Sequence, residues 1–326
     1  MTTMRSNPIQ PFLDRYGGFV VDGGLATQLE AAGCDLNDDL WSARLLMDDP
    51  DQIRKVHRDY LWAGADCITA ASYQATIPGF MKRGLSERDA INLIQYAVEI
   101  AIDERDAYWS SLLPEERLNR LRPLVAASVG PYAAYRADGS EYTGEYDLNE
   151  DQLLEFHRRR WQLLVDTKAD LLACETIPTC SEARALARLL QLTPNCQAWF
   201  SFACQDGKHL NDGTRIRDCA FFLAPLERIA AVGVNCTAPR YIPSLIGELS
   251  SAVSQPIIVY PNSGELYDVE TKSWREESVP AAFGTFGREW RKLGAAAIGG
   301  CCRTTPAHIR QIRDRFPWDR STESYD

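Results

Sequence analysis

Two adjacent cysteines, Cys301 and Cys302, follow a pair of glycines in the run "AAAIGGCCR" (295–303). A third, Cys236, ends the run "RIAAVGVNCT" (228–237). Neighbouring side chains in a regular strand point to opposite faces, and a disulfide between neighbours is strained. Three thiolates converging on one point would instead make a metal site with one open position. Zn2+ takes sulfur at about 2.3 Å in a tetrahedron. Gly299 and Gly300 are expected to let the backbone bend so that both sulfurs turn the same way. Three thiolates leave such an ion with a formal charge of about −1, a poor polariser of carbonyls or water. The set suits a substrate thiol, which at a free pKa of about 8.5 is mostly protonated at neutral pH. The chemistry this predicts is transfer of an alkyl group to a substrate sulfur. No CxxC pair occurs, and the histidines (His57, His157, His209, His308) fall in expected helices or loops as surface or capping residues.

These cysteines need elements that bring residue 236 to residues 301 and 302. Eight short apolar runs recur along the chain, at 17–24, 66–75, 122–131, 169–178, 197–205, 228–237, 256–264 and 295–303. Near-continuous apolar runs are the pattern of strands buried on both faces. Helical segments lie between them. One is amphipathic through Leu154, Trp161, Leu164 and Val165, another through Ala183, Leu186 and Leu190. Ser86 with Asp89, and Pro306 after Thr304 and Thr305, read as helix starts. Strands alternating with helices imply parallel pairing. Eight such units predict an α/β protein, a single-domain (β/α)8 TIM-type barrel with long loops at its C-terminal face, over a doubly wound open sheet. Chemistry should then gather at the strand ends, which carry Asp22-Gly23-Gly24, Ser72-Tyr73-Gln74, Ser128, Glu175-Thr176, Asn235-Cys236, Asn262-Ser263 and Cys301-Cys302-Arg303. Cys67, Cys174 and Cys204, within strands, read as small packing residues.

Composition narrows the class. The 326 residues are 45% hydrophobic and 25% charged, the profile of a globular chain. They read as one domain, 1–326, with terminal extensions at 1–16 and 317–326. A net charge of −10 argues against nucleic acid or an anionic membrane as partner. No signal core or 18-residue apolar span occurs, so a cytoplasmic monomer or homodimer with reduced thiols is expected. The "HRRRW" run at 157–161 reads as a solvated helix face, and 77–86 as a lid.

The motifs "DGGLATQLE", "ITAASYQATIPGF", "SVGPYAAYRADGSEYTG", "LLACETIP", "GVNCTAP", "IVYPNSGELYD" and "GGCCRTTP" closely resemble those of the homocysteine S-methyltransferases, from about residue 17 to residue 315. The resemblance implies a (β/α)8 barrel and one Zn2+ per chain held by Cys236, Cys301 and Cys302. It implies methyl transfer from a sulfonium donor, S-methylmethionine or S-adenosylmethionine, to L-homocysteine, giving methionine. Related branches methylate selenocysteine or use betaine, and the zinc motif does not choose between them.

The acceptor's ammonium needs a partner, and Glu175 at the fourth strand end is suited to it. The resemblance places an acceptor-binding carboxylate there, with Asp22, Gly23 and Gly24 beside it. Backbone N–H groups near Gly23, Gly24 and Ser128 could hold the acceptor carboxylate. Asn235 has two readings, a strand-end cap or a group that holds a sulfur or meets the metal. Arg303 could balance the negative metal centre. A non-catalytic thiol or metal sensor on the same fold is the alternative from another class, and turnover separates the two.

Overall fold

A computed structural model describes residues 6–36, 40–264, 266–268, 273–275 and 283–315. The strands are β1 (Phe19–Val20), β2 (Cys67–Thr69), β3 (Leu124–Val129), β4 (Leu171–Ile177), β5 (Ala198–Phe202), β6 (Ile229–Asn235), β7 (Ile257–Tyr260), β8 (Leu266–Asp268), β9 (Ser273–Arg275) and β10 (Ala295–Ile298). β8 and β9 form a separate antiparallel hairpin. The other eight pair in parallel in the order β1-β10-β7-β6-β5-β4-β3-β2. A parallel bridge between Val21 and Cys67 joins β1 to β2, and Asp22 N–H donates to the Cys67 carbonyl at 3.0 Å. The result is the (β/α)8 barrel, with every strand inside one of the eight apolar runs.

Two apolar layers explain why the runs are continuous. Alternate residues of each strand face outward to the helices, as Val125, Ala127 and Val129 do. The others face the barrel axis, where Ala126, Ala173, Ala230, Ala231 and Ala297 leave room for Trp199 and Tyr260. The two rings meet edge to face at 6.3 Å and fill the middle of the barrel. Gly233 admits the neighbouring strand, because a Cβ there would lie 1.7 Å from the Ile258 carbonyl oxygen.

The helices start where the side chains allow. Ser86 accepts from Asp89 N–H at 3.2 Å and opens the helix Glu87–Ser111. Asn149 and Gln152 form a reciprocal capping box ahead of Glu150–Val165. Thr179 caps Cys180–Gln191.

Within the terminal extension expected at 1–16 lies a helix, Gln10–Tyr16, whose Phe12 is buried with Ile9 in the axial core. Two apolar residues close the open lower mouth of the barrel. Residues 317–326 lie outside the described residues. The segment 77–86, expected as a lid, begins with the helix Ile77–Lys82, in which Ile77 and Phe80 are buried in the outer core. No described helix is long and apolar enough to cross a membrane.

Candidate metal centre and acceptor pocket

Inward parity carries the polar rim. Ser128 continues the axial face of Leu124 and Ala126, Glu175 that of Leu171 and Ala173, and Tyr260 that of Ile258. These residues meet above Trp199. The Ser128 hydroxyl donates to Glu175 in a very short contact, and Tyr260 donates to its other oxygen at 3.1 Å. Tyr260 in turn accepts from Trp199 Nε1 at 3.0 Å. No arginine, lysine or histidine pairs with Glu175 among the described residues. Burial pushes its carboxyl up to about 7, against the lowering effect of the Ser128 hydrogen bond. Asp22, also buried, accepts from Thr69 N–H at 2.8 Å, and burial pushes its carboxyl well up.

The three cysteines converge. The sulfurs of Cys236, Cys301 and Cys302 all lie within 4.8 Å of one another, and those of Cys236 and Cys302 are 3.7 Å apart. A tetrahedral ion with ligands at about 2.3 Å needs sulfurs about 3.8 Å apart. The donor set and its spacing therefore fit a thiophilic ion. The Cys301 thiol is pushed down because Cys236 and Cys302 donate to it, which leaves the Cys236 thiol pushed up. Three thiols this close cannot all ionise without a cation among them.

Backbone contacts fix each cysteine. Cys236 has a left-handed backbone, φ 49°, and its N–H donates to the Tyr260 carbonyl at 3.3 Å. Cys301 N–H donates to the Pro261 carbonyl at 2.8 Å, and its own carbonyl accepts from Thr304 Oγ1 at 2.6 Å. Cys302 N–H donates to Asn262 Oδ1 at 3.2 Å, which gives Asn262, expected at the rim, a scaffold role.

The glycines act differently from expectation. Neither Gly299 nor Gly300 takes a positive φ, whereas the nearby rim residues Thr176, Cys236 and Arg303 do. A Cβ on Gly300 would lie 2.4 Å from Thr304 Oγ1, and one on Gly299 would lie 2.8 Å from the Asp22 carbonyl oxygen. Both are glycine because other chain passes close by.

Asn235 shows features of both readings, capping the end of β4 and facing one sulfur. Its amide oxygen accepts from Thr176 N–H at 2.7 Å and Ser201 Oγ at 2.8 Å, so it is turned away from the sulfurs. Its amide nitrogen donates to Thr176 Oγ1 at 2.7 Å and faces Cys301 Sγ at 3.9 Å. Gly24 N–H, expected to meet a substrate carboxylate, already donates to Thr304 Oγ1 at 3.1 Å. Gly23 packs under Tyr60, and the Ser128 backbone lies in the β3–β4 ladder. Arg303 sits 4.0 Å from Glu30 on an exposed edge, so its charge has a partner away from the cysteines.

Tyr73 was expected at a strand end, whereas Glu141, Tyr142 and Glu182 were not singled out from sequence. Tyr73 packs on Gly130, where a Cβ would lie 2.8 Å from its ring. Glu141 and Tyr142 arrive on the loop after β3. A buried network anchors that loop: Glu182 accepts from Tyr132 N–H at 2.6 Å and Tyr146 OH at 2.5 Å, and contacts His157 Nε2 at 2.7 Å. Arg160 donates to the carbonyls of Gly130 and Tyr73 at 2.5 and 3.3 Å. The "HRRRW" run is thus only partly solvated, since His157 and Arg160 are buried. His57 is buried too. Both were expected at the surface, and both turn inward on helices packed against the barrel.

A barrel whose C-terminal rim joins three sulfurs to a buried carboxyl defines a class of sulfur-handling enzymes. The homocysteine S-methyltransferase family model matches residues 19–316. The chain belongs to that family and is a methyltransferase. It is 53% identical to Homocysteine S-methyltransferase YbgG of Bacillus subtilis, over 98% of this chain and 99% of that one. It is 45% identical to Selenocysteine Se-methyltransferase of Brassica oleracea var. italica, over 96% and 93%. The metallated form of the homocysteine methyltransferase MmuM of Escherichia coli superposes with a TM-score of 0.84 at 44% identity, covering 94% of this chain and 99% of that one.

Proposed function

We propose that this chain transfers a methyl group from a sulfonium donor, S-methylmethionine or S-adenosylmethionine, to the sulfur of L-homocysteine, with zinc held by Cys236, Cys301 and Cys302. The observation that carries the reading is the convergence of three sulfurs within 4.8 Å at the barrel rim. A zinc ion held by these three sulfurs would supply the Lewis acidity that keeps the acceptor sulfur a nucleophilic thiolate. One C–S bond forms at the acceptor sulfur while the donor's methyl C–S bond breaks. The donor leaves as a neutral thioether with the electron pair, and the acceptor's thiol proton goes to solvent.

The chain's own residues orient the acceptor. Glu175 takes its ammonium, because a buried carboxyl that lacks a cationic partner is completed by one. Ser128 and Tyr260 hold that carboxyl in place. Asp22 keeps β1 and β2 in register beside it through Thr69. Asn235 faces one amide N–H toward the Cys301 sulfur. Near-attack alignment of the two substrates supplies much of the acceleration.

The test is direct. The purified chain should hold about one zinc and form methionine from homocysteine plus S-methylmethionine. A Cys302→Ala variant that keeps both zinc and full activity would overturn the reading. The 45% identity to the selenocysteine enzyme supports a second acceptor. Competition between homocysteine and selenocysteine at equal concentration measures the preference.

A further inference from the structure

Glu175 lies on the Cys301 flank of the cluster and interacts with that sulfur through space. A second carboxyl, Glu141, lies near enough for its charge to act on Cys302. Glu141 is the middle residue of a short 3-10 turn, Ser140–Tyr142, that follows the left-handed Gly139. Its carbonyl accepts from Asn211 Nδ2 at 2.5 Å, which pins the backbone. One carboxyl oxygen is satisfied by its own amide. The other, Oε2, is buried and has no hydrogen-bond partner among the described residues. No cation pairs with it among those residues either.

Two tyrosines feel the same charges. Tyr73, hydrogen-bonded to the Thr176 side chain, senses the charges of Glu141, Cys236 and Cys301. Tyr142 senses those of Cys236, Cys302 and Glu141. A carboxylate with two aromatic rings is a set of groups that attracts a soft, poorly hydrated cation. A buried carboxylate left unpaired is costly, and a fold keeps one where a ligand completes it.

We infer that Glu141, with Tyr73 and Tyr142, forms the subsite for the cationic methyl donor, and that Glu141 tells the charged sulfonium from the neutral thioether it becomes. The inference rests on the methyl-transfer reading above. Methyl transfer needs the donor's carbon about 3–3.5 Å from the acceptor sulfur. The donor must therefore approach the cluster from a side the acceptor leaves open. With the acceptor's ammonium at Glu175, the Cys302 flank is that side. Transfer removes the positive charge, so the carboxylate loses its partner and the thioether product is released. An interaction present with the bound donor and fading as charge disappears acts on donor KM more than on kcat.

The test compares the zinc-loaded wild-type chain with Glu141→Gln. Calorimetric titration without homocysteine measures the binding of S-methylmethionine and of methionine. Steady-state kinetics measures the KM of each substrate. Glu141→Gln should weaken S-methylmethionine about tenfold and raise donor KM to match. Methionine affinity and homocysteine KM should stay within twofold. Its melting temperature should hold or rise, because an unpaired buried carboxyl is gone. Glu141→Asp, which keeps the charge, should fall between the two. Unchanged donor affinity in Glu141→Gln overturns the inference, as does an equal loss for all three ligands. A wild-type enzyme that binds homocysteine yet consumes no sulfonium donor overturns the methyl-transfer reading itself. Normal wild-type turnover with an unaffected Glu141→Gln removes only the donor subsite.

Discussion

Asn235 grips Thr176 at two points, accepting its N–H at 2.7 Å and donating to its hydroxyl at 2.7 Å. Thr176 has a φ of 59°, a costly conformation for a β-branched residue. The grip holds a strained turn directly after Glu175 and aims the remaining amide hydrogen toward Cys301. Asn235→Ala should lose about 2–4 kcal/mol of stability, because three buried hydrogen bonds go and their Thr176 and Ser201 partners stay buried. Metal retention should fall with it. Urea unfolding and zinc content after gel filtration check both, and a variant with wild-type zinc and stability would show the grip to be dispensable.

The acceptor pocket predicts a pH signature. With Glu175 pushed up to about 7, its carboxylate is present above that pH and lost below it. Homocysteine affinity should weaken as pH falls through 7. In Glu175→Gln the KM should rise about tenfold, one charged contact, and this part of the pH dependence should vanish. A thiol acceptor without the amino group should be used equally by both proteins. Parallel pH profiles for wild type and variant would remove Glu175 from this role.

The metal centre has its own acid limit. Each thiol must shed its proton to bind, so metal binding releases protons. Zinc should dissociate on acidification, with loss of activity, and prolonged incubation with a strong chelator should do the same at neutral pH. Full activity in a chain shown to be metal-free would exclude an essential ion.

Stability should also decline in acid, through a residue far from the cysteines. His57 is fully buried, both ring nitrogens lack partners among the described residues, and burial lowers its pKa from 6.5 to about 4. Between these values the unfolded chain binds a proton that the folded chain refuses. Stability therefore falls as pH drops from 6.5 to 4, by about 3 kcal/mol from this group. Glu175 slopes the other way, since its folded pKa exceeds the unfolded value. The informative quantity is the difference from His57→Met, which should lose less urea resistance over this range.

Close packing makes the last prediction. Gly300→Ala places a methyl 2.4 Å from Thr304 Oγ1, which bonds both Gly24 N–H and the Cys301 carbonyl. Thr304 is fully buried and cannot step aside. The variant should lose about 1–3 kcal/mol or more and retain less zinc, measured by calorimetric melting and metal analysis.

How much of this was legible in the sequence follows from what each signal depends on. The eight strands were visible because a strand covered on both faces writes its burial as a continuous apolar run. The three cysteines were visible because their residue type is rare and chemically specific. The company of Glu175 was not, since Ser128 and Tyr260 reach it only through the parity of three different strands. His157 and Arg160 were misread because a helix packed on a barrel can bury a charged residue once Glu182 stands opposite. The role of Gly299 and Gly300 escaped because a neighbour's backbone, distant in sequence, sets it. Residues 10–16 escaped because one short helix with a single buried phenylalanine carries little periodicity.

The edge-to-face pair Trp199 and Tyr260 fills the axis of the barrel, and the same Tyr260 hydroxyl touches Glu175. Mechanical support and ligand contact thus run through one side chain. A laboratory library varied at position 199 should yield clones in which heat tolerance and acceptor preference drift together. Selection for either trait alone would carry the other along.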